Sequence, residues 1–262
     1  METPILISNR TYTKMPDTNM FKMHSHETYE IYCFLKGSAK YFVEGNIYNL
    51  LPNDILIMKK AETHSLLINK AIPYERIVIN FSSKAILNGL ENKIIDFIEK
   101  RPLGKHNKYS AKKFQNNNWL YYLDKICTSE TLIEQQLYLT AVLNEMCKDY
   151  PIDSSNNNYS NINEIIEYIN NNLFEDLSLD MLSANFYLSK AQLTRKFKMF
   201  TGATIWEYIT TKRLIKAKEL LNDGMPPTVV FTACGFNDYN TFYKAYIKHF
   251  GSSPKHAHIK RI

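Results

Sequence analysis

The sequence predicts an α+β protein with an N-terminal antiparallel β-barrel, a helical hairpin and an all-α C-terminal domain containing two helix-turn-helix units. Three observations predict this fold class. Between residues 23 and 81, short runs of aromatic and β-branched residues alternate with turn residues, as in a small barrel or sandwich. From residue 84 onward, apolar residues recur at helical spacing. The chain has 262 residues, and since one core rarely serves many more than ~250, two domains are expected.

The composition is that of a globular protein without a membrane span. Hydrophobic residues make up 45% and charged residues 22% of the chain, so composition gives no reason to expect disorder. The N-terminus lacks the pattern of a secretory signal, and no run of ~18 apolar residues could cross a bilayer. We therefore expect a cytoplasmic protein with no membrane partner. The cysteines lack CxxC spacing and are expected to be reduced and buried. They are Cys33, Cys127, Cys147 and Cys234.

The predicted strands of the barrel occupy residues 29–35, 41–43, 55–58, 65–68 and 77–81. Beyond them, Ile86, Leu90, Ile94 and Ile98 form a helical stripe, and two more amphipathic arms follow near residues 119–126 and 132–146. A polar, breaker-rich segment then interrupts the apolar pattern. We therefore divide the chain into a barrel (1–83), a helical region (84–150), a linker (151–160) and a second helical domain (161–262).

Positive charge is concentrated at the end of the chain. Residues 181–262 hold 13 Lys and Arg against 4 Asp and Glu, a local excess of +9, whereas residues 161–180 hold five acids and no base. A basic surface of this kind suits a polyanionic partner such as DNA, although a merely solvated helical surface would give the same count. Charge alone leaves both interpretations open.

Residues 178–200 match the requirements of a helix-turn-helix unit. Leu188 and Ser189 supply the turn, with Ser189 as N-cap, and Leu193 and Phe197 anchor the second helix at i, i+4 spacing. An outward arginine on such a helix can pair with guanine through two hydrogen bonds, and lysines suit phosphates. The residues predicted to face outward are Lys190, Ala191, Gln192, Thr194, Arg195 and Lys198.

The same plan recurs further along the chain. Val229 and Val230 lie on a support helix, the chain turns at Gly235, and Phe242 and Tyr246 anchor a second outward-facing helix. One long helix, about 205–222, joins the two units. The outward residues of the second unit are predicted to be Asp238, Tyr239, Asn240, Tyr243 and Lys244.

These elements resemble the AraC-type family of bacterial transcription regulators. The matching elements are Leu188-Ser189-Lys190-Ala191-Gln192-Leu193-Thr194-Arg195-Lys196-Phe197-Lys198, Thr201-Gly202, Arg213-Leu214 with Ala217 and Leu220-Leu221, Gly235-Phe236-Asn237-Asp238-Tyr239-Asn240-Thr241-Phe242, and Gly251 with Ser253-Pro254. The resemblance spans roughly residues 161–262. It implies that the two units occupy successive major grooves of double-stranded DNA, and that the protein is a regulator, not an enzyme.

The second unit departs from the family pattern. Pro226, Pro227 and Phe231 stand where the family usually has a polar-capped helix start and a small alanine, and Ile247 replaces a common lysine. We therefore expect Arg195, in the first unit, to contribute more base specificity than any residue of the second.

Three histidines and one glutamate are candidate ligands in the barrel. His24 and His26 are two residues apart and so are expected on one strand face, which Glu30 shares, while His64 begins another strand. Three imidazoles and a carboxylate could hold a divalent transition metal such as Mn, Fe, Ni or Zn. Tyr32 and Phe34 continue the same strand parity, so the predicted effector pocket includes them.

The segment from His24 to Glu30, with Gly37, Gly45, Pro52, Asp54 and His64 after it, resembles the two motifs of the cupin barrel over about residues 20–81. The second motif is degraded, because Asn53 takes a place where glycine is usual. Three interpretations stay open. The pocket binds a small organic effector or nothing, it holds a regulatory metal, or it catalyses a metal-dependent reaction.

The sequence thus favours a regulator in which a small-molecule effector in the barrel changes the placement of the DNA-binding domains, and so changes either the affinity for paired half-sites or the contact with RNA polymerase. The family resemblance suggests that helices between residues 116 and 150 form a homodimer contact. They could instead pack onto the protein's own barrel. One rival function is a constitutive dimeric regulator without an effector. Another is a metal-binding cupin sensor or enzyme fused to a DNA-binding domain.

Overall fold

The computed structural model describes residues 4–12, 23–68, 72–114, 119–148 and 160–255. The chain divides into two compact units, Met1–Asn157 and Asn158–Ile262. Of the predicted linker, residues 151–159 lie outside the described residues, and Ser160 is the first residue of a helix. In the described part of the chain, no helix is both long and apolar enough to cross a membrane.

The first unit contains two antiparallel sheets, and the predicted α+β class is confirmed. The five-stranded sheet has the order β1-β7-β2-β5-β8, and the three-stranded sheet has the order β4-β3-β6. The strands are β1 (Ile5–Tyr12), β2 (Tyr29–Lys36), β3 (Ala39–Val43), β4 (Asn46–Asn49), β5 (Ile55–Met58), β6 (His64–Ile68), β7 (Tyr74–Phe81) and β8 (Lys108–Tyr109).

Three of these strands were not predicted. β4 follows a tight hairpin in which Glu44 and Gly45 both have positive φ, at 44° and 91°, as a type I′ turn requires. β1 pairs along its whole length with β7. Tyr109 of β8 pairs with Ile55 of β5, so the sheet extends beyond residue 83, where the barrel was predicted to end.

Strand β2 is buried on both faces because each sheet face has its own core. Ile31 and Cys33 belong to a core that the five-stranded sheet shares with the helices of the first unit. Tyr32 and Phe34 belong to a second core, which both sheets line. Residues of one parity therefore face the helices, and residues of the other parity, Glu30 included, face the interior of the barrel.

Three helices cover the outer face of the five-stranded sheet: α1 (Glu91–Glu99), α2 (Trp119–Thr128) and α3 (Leu132–Met146). Short 3-10 turns lie at Ser83–Ala85 and Ala111–Phe114. Ile94 and Ile98 are buried, as the helical stripe predicted. α3 begins at a capping box in which the Thr131 side chain and the Glu134 backbone and side chain satisfy each other. The cap therefore lies in the short connection between the two arms that the sequence predicted.

All regular secondary structure among the described residues of the second unit is helical. Its helices are α4 (Ser160–Asn171), α5 (Leu179–Asn185), α6 (Lys190–Thr201), α7 (Ile205–Asn222), α8 (Pro227–Ala233) and α9 (Tyr239–Phe250). The pairs α5–α6 and α8–α9 are the two predicted helix-turn-helix units, and α7 is the long helix between them. Leu214, Ala217 and Leu221 of α7 form one core with Phe242 and Tyr246 of α9.

Arg213 of α7 joins separate parts of this unit. Its guanidinium donates to the backbone carbonyls of Leu173 at 2.8 Å, Gly235 at 2.6 Å and Glu175 at 2.8 Å. Gly235, in the α8–α9 turn, has φ of 76°, and a Cβ there would lie 2.8 Å from the carbonyl oxygen of Phe174. The α4–α5 segment, α7 and the second turn are therefore held together at one point.

Candidate nucleic-acid interface and barrel site

The first helix-turn-helix unit is defined by hydrogen bonds at both helix starts. The Ser178 side chain accepts from the Met181 backbone N–H at the start of α5. Ser189 and Gln192 form a capping box at the start of α6, which confirms the predicted N-cap. The predicted anchors Leu193 and Phe197 are fully buried. One face of α6 is thus fixed to the unit, and the opposite face is exposed.

The structure separates the six outward residues predicted for α6 into two groups. Ala191, Arg195 and Lys198 are exposed, and Thr194 is half-buried. Lys190 is exposed but lies 2.5 Å from the Asp180 carboxylate in an ion pair. Gln192 is exposed and its side chain also accepts the Ser189 N–H within the capping box. Of the six, Ala191, Arg195 and Lys198 are therefore exposed and take part in neither that ion pair nor that capping box.

The second unit begins differently. α8 starts with Pro226 as N-cap and Pro227 at the first helical position, and no side chain caps it. The N-cap of α9 is Asp238, whose carboxylate accepts from the Thr241 N–H at 2.8 Å. The hydrogen bonds from Thr241 hold the pKa of Asp238 below its usual value. Asp238 is therefore an ionised cap, and the predicted anchors Phe242 and Tyr246 are fully buried.

Asn240, Tyr243 and Lys244 are exposed on α9, as predicted. Tyr239 is half-buried, and its ring centroid lies 5.7 Å from that of Phe231 and 5.9 Å from that of Phe242. The expectation that Tyr239 faces fully outward is therefore corrected, because its ring packs against the support helix α8. The helix that carries Arg213 was predicted, but its hydrogen bonds to three backbone carbonyls were not.

In the barrel, the three histidines come together by a different route from the one predicted. β2 begins at Tyr29, so His24 and His26 precede the strand instead of sharing it with Glu30. His24 pairs with His64 in an isolated antiparallel bridge, with backbone N–O distances of 3.0 and 2.9 Å. One imidazole nitrogen from each of His24, His26 and His64 lies within 4.8 Å of the other two.

Glu30 is the negative charge of this cluster. Its carboxylate is 2.9 Å from His26 Nε2 and 3.7 Å from His64 Nε2. Burial opposes ionisation of Glu30, but the hydrogen bond from His26 and the neighbouring imidazoles hold its pKa at about 2. His26 Nδ1 is 2.9 Å from the carbonyl of Thr28, an acceptor only. Burial lowers the pKa of His26, but the Glu30 hydrogen bond and charge outweigh it and raise the pKa, so His26 and Glu30 form an ion pair.

His64 is the neutral member of the cluster. Its Nδ1 donates to the carbonyl of Glu62 at 2.8 Å, which leaves Nε2 as the nitrogen with a lone pair. Burial lowers the pKa of His64 to about 3 despite the nearby Glu30. Its Nε2 is buried and has no hydrogen-bond partner among the described residues. A histidine fixed in this tautomer by a backbone carbonyl is the usual form of a metal-binding histidine, so the donor set fits a divalent transition metal.

The predicted pocket residues Tyr32 and Phe34 lie inside the barrel and are fully buried. The Tyr32 hydroxyl is 2.5 Å from that of Tyr74, and Tyr41 donates to Glu30 at 3.2 Å. Aromatic rings with a few hydroxyl groups thus continue inward from the Glu30 carboxylate. These side chains pack between the histidine cluster and the core of the barrel.

Two family models match separate parts of the chain. One, described as a helix-turn-helix domain, matches residues 182–258, and the other, described as an AraC-like ligand binding domain, matches residues 8–99. Together they match more than half of the chain. Their boundaries fall within the two compact units of the structure.

Relatives of similar length align with most of this chain. The Msm operon regulatory protein of Streptococcus mutans is 24% identical over 234 residues, 87% of this chain and 83% of its own. The transcriptional activator RhaS of Enterobacter sp. is 22% identical over 90% of this chain and 86% of its own. Among solved structures, ToxT of Vibrio cholerae superposes over 98% of both chains, with 13% identity and a TM-score of 0.42.

A helix-turn-helix unit joined to a ligand-binding barrel defines a DNA-binding transcription regulator of two domains. The predicted class of function is thus confirmed. The chain belongs to the AraC family of transcription regulators.

Proposed function

We propose that α6 and α9 enter successive major grooves of double-stranded DNA and that Arg195 is the principal base-reading residue. One observation carries the proposal: Arg195 is exposed on the helix face opposite the fully buried Leu193 and Phe197. Ala191 and Thr194 lie beside it on the same helix, as base-contacting neighbours. On α9, Asn240 and Tyr243 are the exposed residues suited to base edges.

Lys198 and Lys244 are exposed and suit phosphate contacts, as does Lys190 if its ion pair with Asp180 opens. Gln192 and Asp238, which cap their helices, and Tyr239, which packs on α8, position the two reading helices. The local charge excess of +9 over residues 181–262 supports a polyanionic partner.

The experiment begins with selection of bound duplexes from a random pool by the full chain. Arg195→Ala is then expected to weaken binding to the selected duplex by about 1 to 3 kcal/mol. Arg195→Lys keeps the charge but not the paired hydrogen bonds, so it should lose most of the same specificity. Equal losses on selected and random duplexes would contradict a base-reading role.

We also propose that a small organic effector binds beside Glu30, with His24, His26 and His64 at the entrance and Tyr32 and Phe34 within. Buried aromatic rings with few polar groups suit a sugar-like or similar ligand. Its binding would change DNA affinity through linkage between the two units. A mobility-shift titration with candidate effectors tests this, and Glu30→Ala should remove the response. A response to none of them favours the rival, a constitutive regulator.

A second candidate occupant is a regulatory divalent metal, which the buried, unpartnered Nε2 of His64 specifically favours. A metal would displace the proton that His26 shares with Glu30. Nickel or zinc added to chelated protein should raise the melting temperature. His24→Ala, an exposed substitution, should abolish that rise without unfolding the barrel. An identical rise in this variant would contradict the site. We propose no catalysis there, since the rest of the chain consists of helices suited to dimerisation and DNA binding.

We propose a homodimer that forms through α2 and α3. Ile133 is 74% and Leu137 52% exposed, one turn apart on α3, while the opposite face of that helix is buried against the sheet. Leu120 and Tyr121 add exposed apolar surface on α2. Sedimentation equilibrium should give a dimer for the wild type and a monomer for Ile133→Asp. Leu103→Asp, at another exposed apolar residue of the same unit, is the control and should stay dimeric.

We further propose that the protein works in the cytoplasm and contacts RNA polymerase when bound at a promoter. The support is its membership of a family of transcription regulators. Transcription in vitro from a template carrying the selected duplex tests the contact. Unchanged transcription at every spacing from the promoter would contradict it.

A further inference from the structure

Tyr187 lies in the turn between α5 and α6, in a conformation that its side chain does not favour. Its φ is 51°, in the left-handed region that glycine and asparagine adopt more readily than tyrosine. Its side chain is 96% exposed. Burial of the side chain therefore contributes no free energy that would offset the backbone strain. Neither packing nor stability explains a tyrosine at this position.

The turn around Tyr187 is held firmly by its neighbours. The Leu188 N–H donates to the carbonyl of Ser183 at 3.1 Å, and the Ser183 hydroxyl donates to the carbonyl of Leu188. Ser189, the N-cap of α6, follows directly. The backbone that carries the phenol is therefore fixed just before the proposed reading helix. Because a tyrosine side chain has only two torsions, it loses little conformational entropy on binding.

A helix that presents its N-terminal turns to base edges brings the residues just before it close to the rim of the groove, where the phosphates lie. Tyrosine hydroxyls are among the groups that donate to DNA phosphates. We propose that Tyr187 is a DNA-backbone contact, and that its hydroxyl donates to a phosphate oxygen beside the groove that α6 occupies. This inference rests on the proposed insertion of α6.

Tyr187→Phe removes only the hydroxyl and keeps the backbone strain. It is expected to weaken binding about five- to tenfold, equally on the selected duplex and on a random duplex of the same length, because a phosphate contact is independent of sequence. Since no cation is lost, the slope of log Kd against log salt concentration should match that of the wild type. Lys198→Ala is the contrast and should lower that slope by about one.

Tyr187→Asn separates the DNA contact from the fold, because asparagine tolerates the left-handed conformation. Its melting temperature should rise by a few degrees while its DNA affinity falls at least as far as that of Tyr187→Phe. Wild-type affinity in both variants would overturn the inference, and so would a loss confined to the selected duplex. If the wild-type chain itself prefers no duplex, the proposed function fails as well, and that result is distinguishable from the other two.

Discussion

Replacement of Arg213 by alanine should loosen the second unit alone. The guanidinium donates to three backbone carbonyls, at 2.8, 2.6 and 2.8 Å. A hydrogen bond from a charged group contributes about 1.5 to 3 kcal/mol, but Arg213 is only half-buried, so about 1 kcal/mol for each bond is the appropriate value. The expected loss is therefore about 3 kcal/mol, which would lower the melting temperature of the second unit by roughly 10 to 20 °C.

The chain offers an assay for each unit, because it has two tryptophans and each unit holds one. Trp206, in the second unit, is the only fluorophore of its kind left after Trp119→Phe. In that background, urea unfolding followed by tryptophan fluorescence measures the second unit. Arg213→Lys should give an intermediate loss, since one ammonium cannot reach all three carbonyls. A loss below about 0.5 kcal/mol for Arg213→Ala would refute the reasoning and show that water satisfies these carbonyls equally well.

Three further predictions concern the same elements. Gly235→Ala should destabilise the second unit by more than Gly224→Ala, because both have positive φ but only at Gly235 would a Cβ lie 2.8 Å from backbone; equal losses in urea unfolding would contradict this. Ser189→Ala should cost about 1 kcal/mol through loss of the α6 cap, and an unchanged unfolding midpoint would argue against the capping box. Glu62→Ala should destabilise the first unit by more than about 2 kcal/mol, because the buried carboxylate accepts from Lys59 N, Gly104 N and Asn107 Nδ2. Unfolding of this unit is measured in a Trp206→Phe background, and a smaller loss than for Glu27→Ala, at an exposed glutamate, would be inconsistent with that role.

The sequence was most informative where local patterns determine structure. Ser189, Leu193 and Phe197 were predicted as cap and anchors of α6 because capping and i, i+4 spacing are properties of one helix. β1 and β8 were missed because their pairing partners lie far away in the chain, at Phe81 and Ile55 for example. A two-residue strand such as β8 has no periodicity of its own to detect.

The barrel site shows the limit of arguments from strand parity. Parity placed His24, His26 and Glu30 on one strand, whereas His24 reaches the cluster through a backbone bridge to His64. The residues were grouped as expected, but the cause of their proximity is a tertiary contact between the segment that precedes β2 and the first residue of β6. Tyr239 shows the same limit on a helix. Its ring packs against Phe231 of the neighbouring helix α8, and spacing within α9 alone does not predict that contact.

The way the second unit is built bears on how it would read DNA. The hydrogen bonds of Arg213 involve neither of the two proposed reading helices, because Arg213 lies on α7 and its acceptors lie in the α4–α5 segment and at Gly235. We therefore expect residues such as Arg213, which need not touch DNA, to help set the distance between α6 and α9. For two helices in successive grooves, that distance must match one helical turn of DNA, about 34 Å. In the proposed mode of DNA binding, specificity for the spacing between the two contacted segments would thus depend on the interior of the unit, while specificity for bases would depend on its surface.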